Sequence, residues 1–308
     1  MIADAEWRGE ILNRLENVGR YHPSRTILCT VTPGRDGIDA TVSLADDEAA
    51  SAAGVSLGHE RVVVDVGPEN LRHLKTIVDP LVVTDLATVV WAPHRHHEGV
   101  DSLLSLAQVV LVDSVEEPSV ESALARATEL SKEAYVVDLA WLRSTPWRER
   151  IAASFDPDQW RPELGRINAL TVRHHPESAT AGLLLFGWLG SRLGWKPGHM
   201  VHQGGAMEGH ATARRTDVTL RLEADATMST PGLAGITIET ESGMSLSLNR
   251  GSGGLSAKRV THKGKESNWT LLGASRGEAG ILGEGIRQAL LRNATYGPAL
   301  ESARAMLG

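Results

Sequence analysis

The feature that most constrains this chain is a change of hydrophobic period about halfway along it. In the first half, short runs are apolar at successive positions, and four of the five residues from 62 to 66 are valine. A strand apolar on both sides must be buried on both sides, as strands of parallel sheets covered by helices are. Similar runs at 26–31, 38–44, 87–91, 109–112 and 135–139 read as strands. Between them lie segments with helical spacing at 6–16, 69–82, 99–107 and 118–132. Leu71, Leu74, Ile77, Val78 and Leu81 mark one such face, and Val120, Ala123, Leu124, Ala127 and Leu130 another. Buried strands alternating with amphipathic helices predict an α/β fold with a doubly wound, mostly parallel sheet.

The second half alternates strictly instead. Val218-Thr219-Leu220-Arg221-Leu222, Ile236-Thr237-Ile238-Glu239 and Leu246-Ser247-Leu248 each have one apolar and one polar face. Such strands belong to a mainly antiparallel sheet with one wet side. Helices over 178–194 and 279–292 are expected to bracket it, which makes this part an α+β domain. Pro146, Pro157 and Pro162 interrupt the region between the halves, with Trp147 and Trp160 to pack it down. The expected division is an N-terminal domain over 1–145 and a C-terminal domain over 146–308, joined through a connector at about 142–166.

With 308 residues, 42% of them hydrophobic, there is apolar material for two cores. The net charge of −7 hides an asymmetry. Residues 1–160 hold 14 Lys and Arg against 26 Asp and Glu, a balance of −12, and the remainder carries +5. The basic half is too diffuse for nucleic acid, which needs a concentrated basic face, but it suits orientation on a protein partner. No apolar run approaches a membrane span, and the N-terminus lacks the basic and apolar regions of a signal peptide. A cytoplasmic protein is expected. Cys29 is the sole cysteine and sits in an apolar run, so it reads as a buried structural thiol.

Chemistry is harder to find. The twelve histidines show no metal-site spacing, and adjacent His174 and His175 would point to opposite faces of a strand; no metal is expected. Pro93-His94-Arg95-His96-His97 follows a strand, and Asp65, Asp113 and Asp138 stand at strand ends, where open parallel sheets bind ligands. The same groups would equally serve as caps and turns. No dinucleotide fingerprint, phosphate-loop motif or nucleophile elbow is present. The densest feature is Leu272-Gly273-Ala274-Ser275-Arg276-Gly277-Glu278, leading through Gly280, Gly283, Glu284 and Gly285 into a helix. Its backbone N–H groups and Arg276 could hold an anion such as a phosphorylated metabolite, or the glycines could simply permit a tight strand-to-helix turn.

Those blocks, with Asn249-Arg250-Gly251-Ser252-Gly253-Gly254-Leu255, resemble the C-terminal segments of the OpcA family, the glucose-6-phosphate dehydrogenase assembly proteins. His22-Pro23-Ser24-Arg25-Thr26, Asp113-Ser114, and Ala181 to Leu185 through Trp188 to Trp195 agree in order and spacing. The resemblance implies a non-catalytic, two-domain protein without cofactor that promotes assembly or activation of glucose-6-phosphate dehydrogenase. With Cys29 alone, an internal dithiol switch is excluded. The expected functional surface comprises Arg250, Ser275, Arg276, Gly277, Glu278, Gly283 and Glu284, with Trp188 and Arg192. The alternative is a phosphosugar-binding enzyme or sensor, in which Glu278, Glu284 or His262 would serve as base beside Arg276.

Overall fold

The computed structural model describes residues 1–19, 25–45, 59–83, 85–214, 216–251, 253–272 and 277–308. The chain divides into two compact units. One comprises Met1–Glu116, Glu129–Leu139 and Arg276–Arg292, and the other Glu117–Thr128, Ala140–Ser275 and Asn293–Gly308. Among the described residues, no helix is long and apolar enough to cross a membrane.

In the first unit, β1 (Ile2–Asp4), β2 (Arg25–Val31), β3 (Asp39–Ala45) and β4 (His59–Val66) form a sheet in the order β1-β2-β4-β3. β1, β2 and β4 run parallel, and β3 closes the edge antiparallel to β4. A second sheet of β5 (Val89–Trp91), β6 (Val109–Val112) and β7 (Tyr135–Asp138) is wholly parallel. The valine runs are buried as their pattern requires: Val62, Val63, Val64, Val66, Val109 and Val110 are all core residues. Flanking helices are α1 (Arg8–Gly19), α2 (Leu74–Val78) and α3 (His97–Leu103). α4 (Val120–Glu133), which belongs to the second unit up to Thr128, buries Ala123, Leu124, Ala127 and Leu130 on the expected stripe.

The helix expected over 69–82 is broken into short pieces, with 3-10 segments at Pro68–His73 and Asp79–Leu81 flanking α2. Two causes are visible. The Ser102 hydroxyl accepts from the Lys75 N–H (3.1 Å) and donates to the Arg72 carbonyl (3.2 Å), engaging groups that a continuous helix would use. Pro80 lacks the donor that the next turn needs.

In the second unit, α5 (Leu139–Arg143) and α6 (Thr145–Phe155) precede β8 (Ile167–His174), and α7 (Ala179–Leu193) follows it. Then come β9 (Lys196–Gln203), β10 (Ala206–Thr212), β11 (Asp217–Ala224), β12 (Leu233–Thr240), β13 (Ser245–Gly251), β14 (Gly254–Val260) and β15 (Glu266–Leu272). They make one eight-stranded sheet in the order β15-β14-β13-β12-β8-β11-β10-β9. Every neighbouring pair is antiparallel except β8 with β11. The apolar face of the alternation is buried, with Leu170, Val172, Val218, Leu220 and Ile238 fully covered. α7 lies so close to it that a Cβ on Gly182 would overlap the Leu222 side chain.

The segment before β8 packs onto the same sheet. The Arg259 guanidinium, from β14, stands 4.4 Å from the Trp160 ring centroid and 5.3 Å from that of Trp269, and donates to the Ser154 carbonyl. The Glu163 carboxylate accepts from the Ser242 hydroxyl at 2.7 Å. Burial alone would raise the Glu163 pKa, but hydrogen bonds from Ser242 and Thr240 and the charge of Arg166 hold it below the usual range.

α8 (Gly277–Leu291) corrects an expectation. The sequence pattern set this helix over the antiparallel sheet, but it belongs to the first unit and packs on α1, β6 and β7. Amphipathic spacing says that a helix has a buried face, not which core receives it. The chain then returns to the second unit as α9 (Tyr296–Ala305), against α7. Gly187 allows this contact: a Cβ there would fall on the Ala299 carbonyl oxygen.

Candidate functional site

The carboxyl edge of the first unit's parallel strands carries the polar groups expected there, and they engage one another. Asp65 lies 3.6 Å from the Arg8 guanidinium, and Asp4 lies 3.2 Å from His96 Nε2. The Trp7 ring leans on His94 with centroids 5.2 Å apart. The His94 N–H donates to Glu116 at 3.0 Å, and Ser114 donates through its hydroxyl and its N–H to the fully buried Asp138. These contacts accompany three successive non-glycine residues, His94, Arg95 and His96, at φ of 67°, 79° and 28°, a conformation that persists only where the surroundings enforce it. Burial lowers the His96 pKa, against the opposing pull of Asp4.

β2 runs into a turn and then strand β3, so the position where a phosphate would meet a helix N-terminus is followed by a strand. A Cβ on Gly67 would overlap the Arg35 carbonyl oxygen, which closes that approach further. Among the described residues no three His, Cys, Asp or Glu side chains converge as metal ligands. As arranged, these polar groups make their contacts with one another.

The residues chosen from sequence fall in separate places. Trp188, half-buried, and Arg192, exposed, lie one turn apart on α7. Arg250, at the end of β13, donates Nε–H to the Leu233 carbonyl at 3.1 Å, and its Nη2 would stand 2.8 Å from a Cβ on Gly232. Its neighbour Asn249 accepts from Arg173. Gly277, Glu278, Gly283 and Glu284 share α8, in the other unit. Glu284 accepts from Arg287 Nε and from Gln288, both at 2.9 Å. Ser275 and Arg276 lie outside the described residues. Of the bases considered, Glu284 is tied to its own helix, and His262 belongs to the other unit, in the turn between β14 and β15.

The structure adds a surface that no single sequence segment reveals. On the wet face of the eight-stranded sheet, register aligns Glu208, Arg221, Thr171, Thr237, Ser247, Lys258 and Asn268 in one row across seven strands. The middle of this row is uncharged and short: Thr171, Thr237 and Ser247 are half-buried. Charge gathers towards the ends, where Arg221 pairs with Glu208 and Glu223, and Lys258 with Glu266 at 2.8 Å. At about 4.8 Å per strand and about 3.3 Å per residue, such a face covers on the order of 800 Å². That is the share of one partner in a standard protein interface. The signal was present in the hydroxyl residues alternating with the buried leucines and isoleucines of β11, β12 and β13.

Both parts of the chain match known family models. Residues 134–299 match the model for the C-terminal domain of a glucose-6-phosphate dehydrogenase subunit, and residues 16–129 match the model for its N-terminal domain. The chain belongs to this family. It is 26% identical over 200 residues to the OxPP cycle protein OpcA of Synechocystis, an alignment covering 63% of this chain and 42% of that one. The protein of the same name from Synechococcus elongatus is 26% identical over 221 residues, covering 70% and 49% respectively. The chain thus spans about half the length of the curated relatives it matches. Among solved structures, an oxidoreductase from Bacillus cereus aligns with a TM-score of 0.51 at 12% identity, covering 100% of this chain and 94% of that one. UDP-N-acetylglucosamine 3-dehydrogenase GnnA from Acidithiobacillus ferrooxidans aligns at 0.50 and 10% identity, covering 99% and 93%. These likenesses show the fold alone.

Proposed function

We propose that this chain is a non-catalytic, cytoplasmic partner of glucose-6-phosphate dehydrogenase that favours the enzyme's active assembly, with the wet face of the eight-stranded sheet as its main docking surface. The observation that carries the reading is the row from Glu208 to Asn268, uncharged at its centre and charged towards its ends. Protein interfaces have this anatomy, with charge depleted at the core and retained at the rim. Membership of the dehydrogenase subunit family supports glucose-6-phosphate dehydrogenase as that partner. A protein that binds one arrangement of an enzyme better than another shifts the equilibrium towards it. Trp188 with Arg192, the Arg250 strand end, and the α8 segment with Gly277, Glu278, Gly283 and Glu284, preceded by Ser275 and Arg276, are further contact candidates, each judged separately.

The test is a titration of this protein into glucose-6-phosphate dehydrogenase from the same source, at fixed enzyme and substrate. A saturable rise in rate or in apparent substrate affinity is expected. A flat response at micromolar protein and physiological salt would overturn the proposal. The phosphosugar alternative gains no support from the described residues, since Glu284 is held by Arg287 and Gln288.

A further inference from the structure

The two sheets of the first unit leave an apolar cavity of about 480 Å³ between a strand of each. β5 is the edge of its sheet. β2 is covered on one side by β4 along its whole length, but on the other β1 joins it only from Cys29 onward. Ile27 and Cys29 of β2 and Val89 and Trp91 of β5 line the resulting space, and Leu282 and Ile286 of α8 complete it. Leu282 and Ile286 are four residues apart and so share one helix face.

We propose that this cavity binds a small apolar molecule, a hydrocarbon chain or ring system with at most one polar end. Its volume is roughly three times the ~150 Å³ of an apolar cavity that takes up benzene, and it lies within the range of about 300–1,000 Å³ usual for ligand pockets. The lining is mostly aliphatic, with Thr26, Thr88 and Arg25 as its polar side chains. An apolar body with at most one polar end therefore matches it better than a filling of water, each molecule of which needs two or more polar partners. Arg25, the one charged side chain of the lining, is already committed. It donates to Glu60 at 2.6 Å and to the Leu81 carbonyl at 3.0 Å. The Met1 ammonium donates to the Ile27 carbonyl at 2.7 Å, so recognition falls to the apolar walls. Because α8 closes the space, occupancy stabilises the helix that also carries Gly283 and Glu284.

Cys29, the chain's single cysteine, gives the site its own reporter. The experiment follows fluorescence of the neutral probe 1-N-phenylnaphthylamine with the full chain, and in parallel the rate of Cys29 alkylation by N-ethylmaleimide. Expected are saturable binding of one probe per chain, slower alkylation when the probe is bound, and displacement by decanol and decanoate alike. Ile286→Trp, and independently Val78→Phe, fill the space and are expected to weaken probe binding at least about tenfold, or ~1.4 kcal/mol. Thermal unfolding of both variants verifies that each is folded. Probe binding unchanged in both folded variants, alkylation indifferent to the probe, or displacement by decanoate alone would overturn the proposal.

Discussion

Thr237 and Ser247 face each other across β12 and β13, directly paired in register, with their hydroxyl oxygens 3.4 Å apart. They stand at the centre of the uncharged row, on the face opposite the buried Ile236, Ile238, Leu246 and Leu248. A side chain added here reaches outward into whatever covers the sheet, without touching the core. Thr237→Arg therefore separates docking from folding. Surface substitutions of this kind usually change stability by no more than about 0.5 kcal/mol, whereas an unpaired charge forced into an interface is costly. The expected outcome is a native unfolding midpoint with affinity for glucose-6-phosphate dehydrogenase reduced at least about tenfold. Thermal melts and a binding isotherm check the two halves of the statement.

The α7–α9 contact depends on Gly187. Gly187→Leu places atoms on the Ala299 carbonyl and against the Ala303 N–H, and overpacking of this kind costs about 1–3 kcal/mol or more. Gly9→Ala is the opposite case, since that helical position is exposed and no heavy atom lies within 4 Å of the added methyl. It is expected to stabilise by about 0.4–1 kcal/mol. Urea titrations of the two variants should therefore move in opposite directions.

Arg148 lies with its guanidinium carbon 3.4 Å from the Trp141 ring centroid and donates to the Trp141 carbonyl at 2.8 Å and to Thr145 Oγ1 at 2.9 Å. It also donates to the Ser144 hydroxyl. Burial pulls its pKa down to about 9, so it stays charged at neutral pH. Lysine lacks both the planar face and the fork of donors. Arg148→Lys is expected to recover little of the stability lost in Arg148→Ala, a loss of roughly 2–4 kcal/mol. Unfolding curves for both variants test this.

Two side chains lower stability as pH falls, in different windows. His174 is buried and donates through Nδ1 to the His175 carbonyl at 2.7 Å; burial lowers its pKa. The unfolded chain takes up this proton first, so His174 costs nothing above its ordinary value near 6.5 and reduces stability as pH falls below it. Glu163 is held below its ordinary value near 4.5. Its contribution is present above that pH and is lost as pH falls further, through the folded value. His174→Gln should flatten the upper part of a stability–pH profile below about 6.5. Ser242→Ala should weaken the dependence below about 4.5.

Much of the fold was legible because burial writes itself into period. The valine-rich runs marked β4 and β6, and the alternation at 218–222 marked β11. What escaped were elements whose residues contradict their setting. β9 contains Pro197 and Gly198, which read as a turn, yet pairing with β10 holds it extended. β14 turns Arg259 inward, onto Trp160 and Trp269, which hides its alternation. α9 has Tyr296, Ala299, Leu300 and Ala303 at helical spacing, but Gly297 and Pro298 in its first turn look like breakers. Proline is tolerated there because those N–H groups lack helical partners anyway. The proposed docking face was missed because it belongs to no single segment; its row exists only once seven strands are in register.

The measurement closest to the central claim is the mass of the species formed when glucose-6-phosphate dehydrogenase is mixed with this protein, by size exclusion with light scattering, for the native chain and for Thr237→Arg. The account predicts a larger, co-migrating complex with the native chain and separate components with the variant. A complex that forms equally well with both would contradict the sheet face as the docking surface, and no complex with either would contradict the partnership itself.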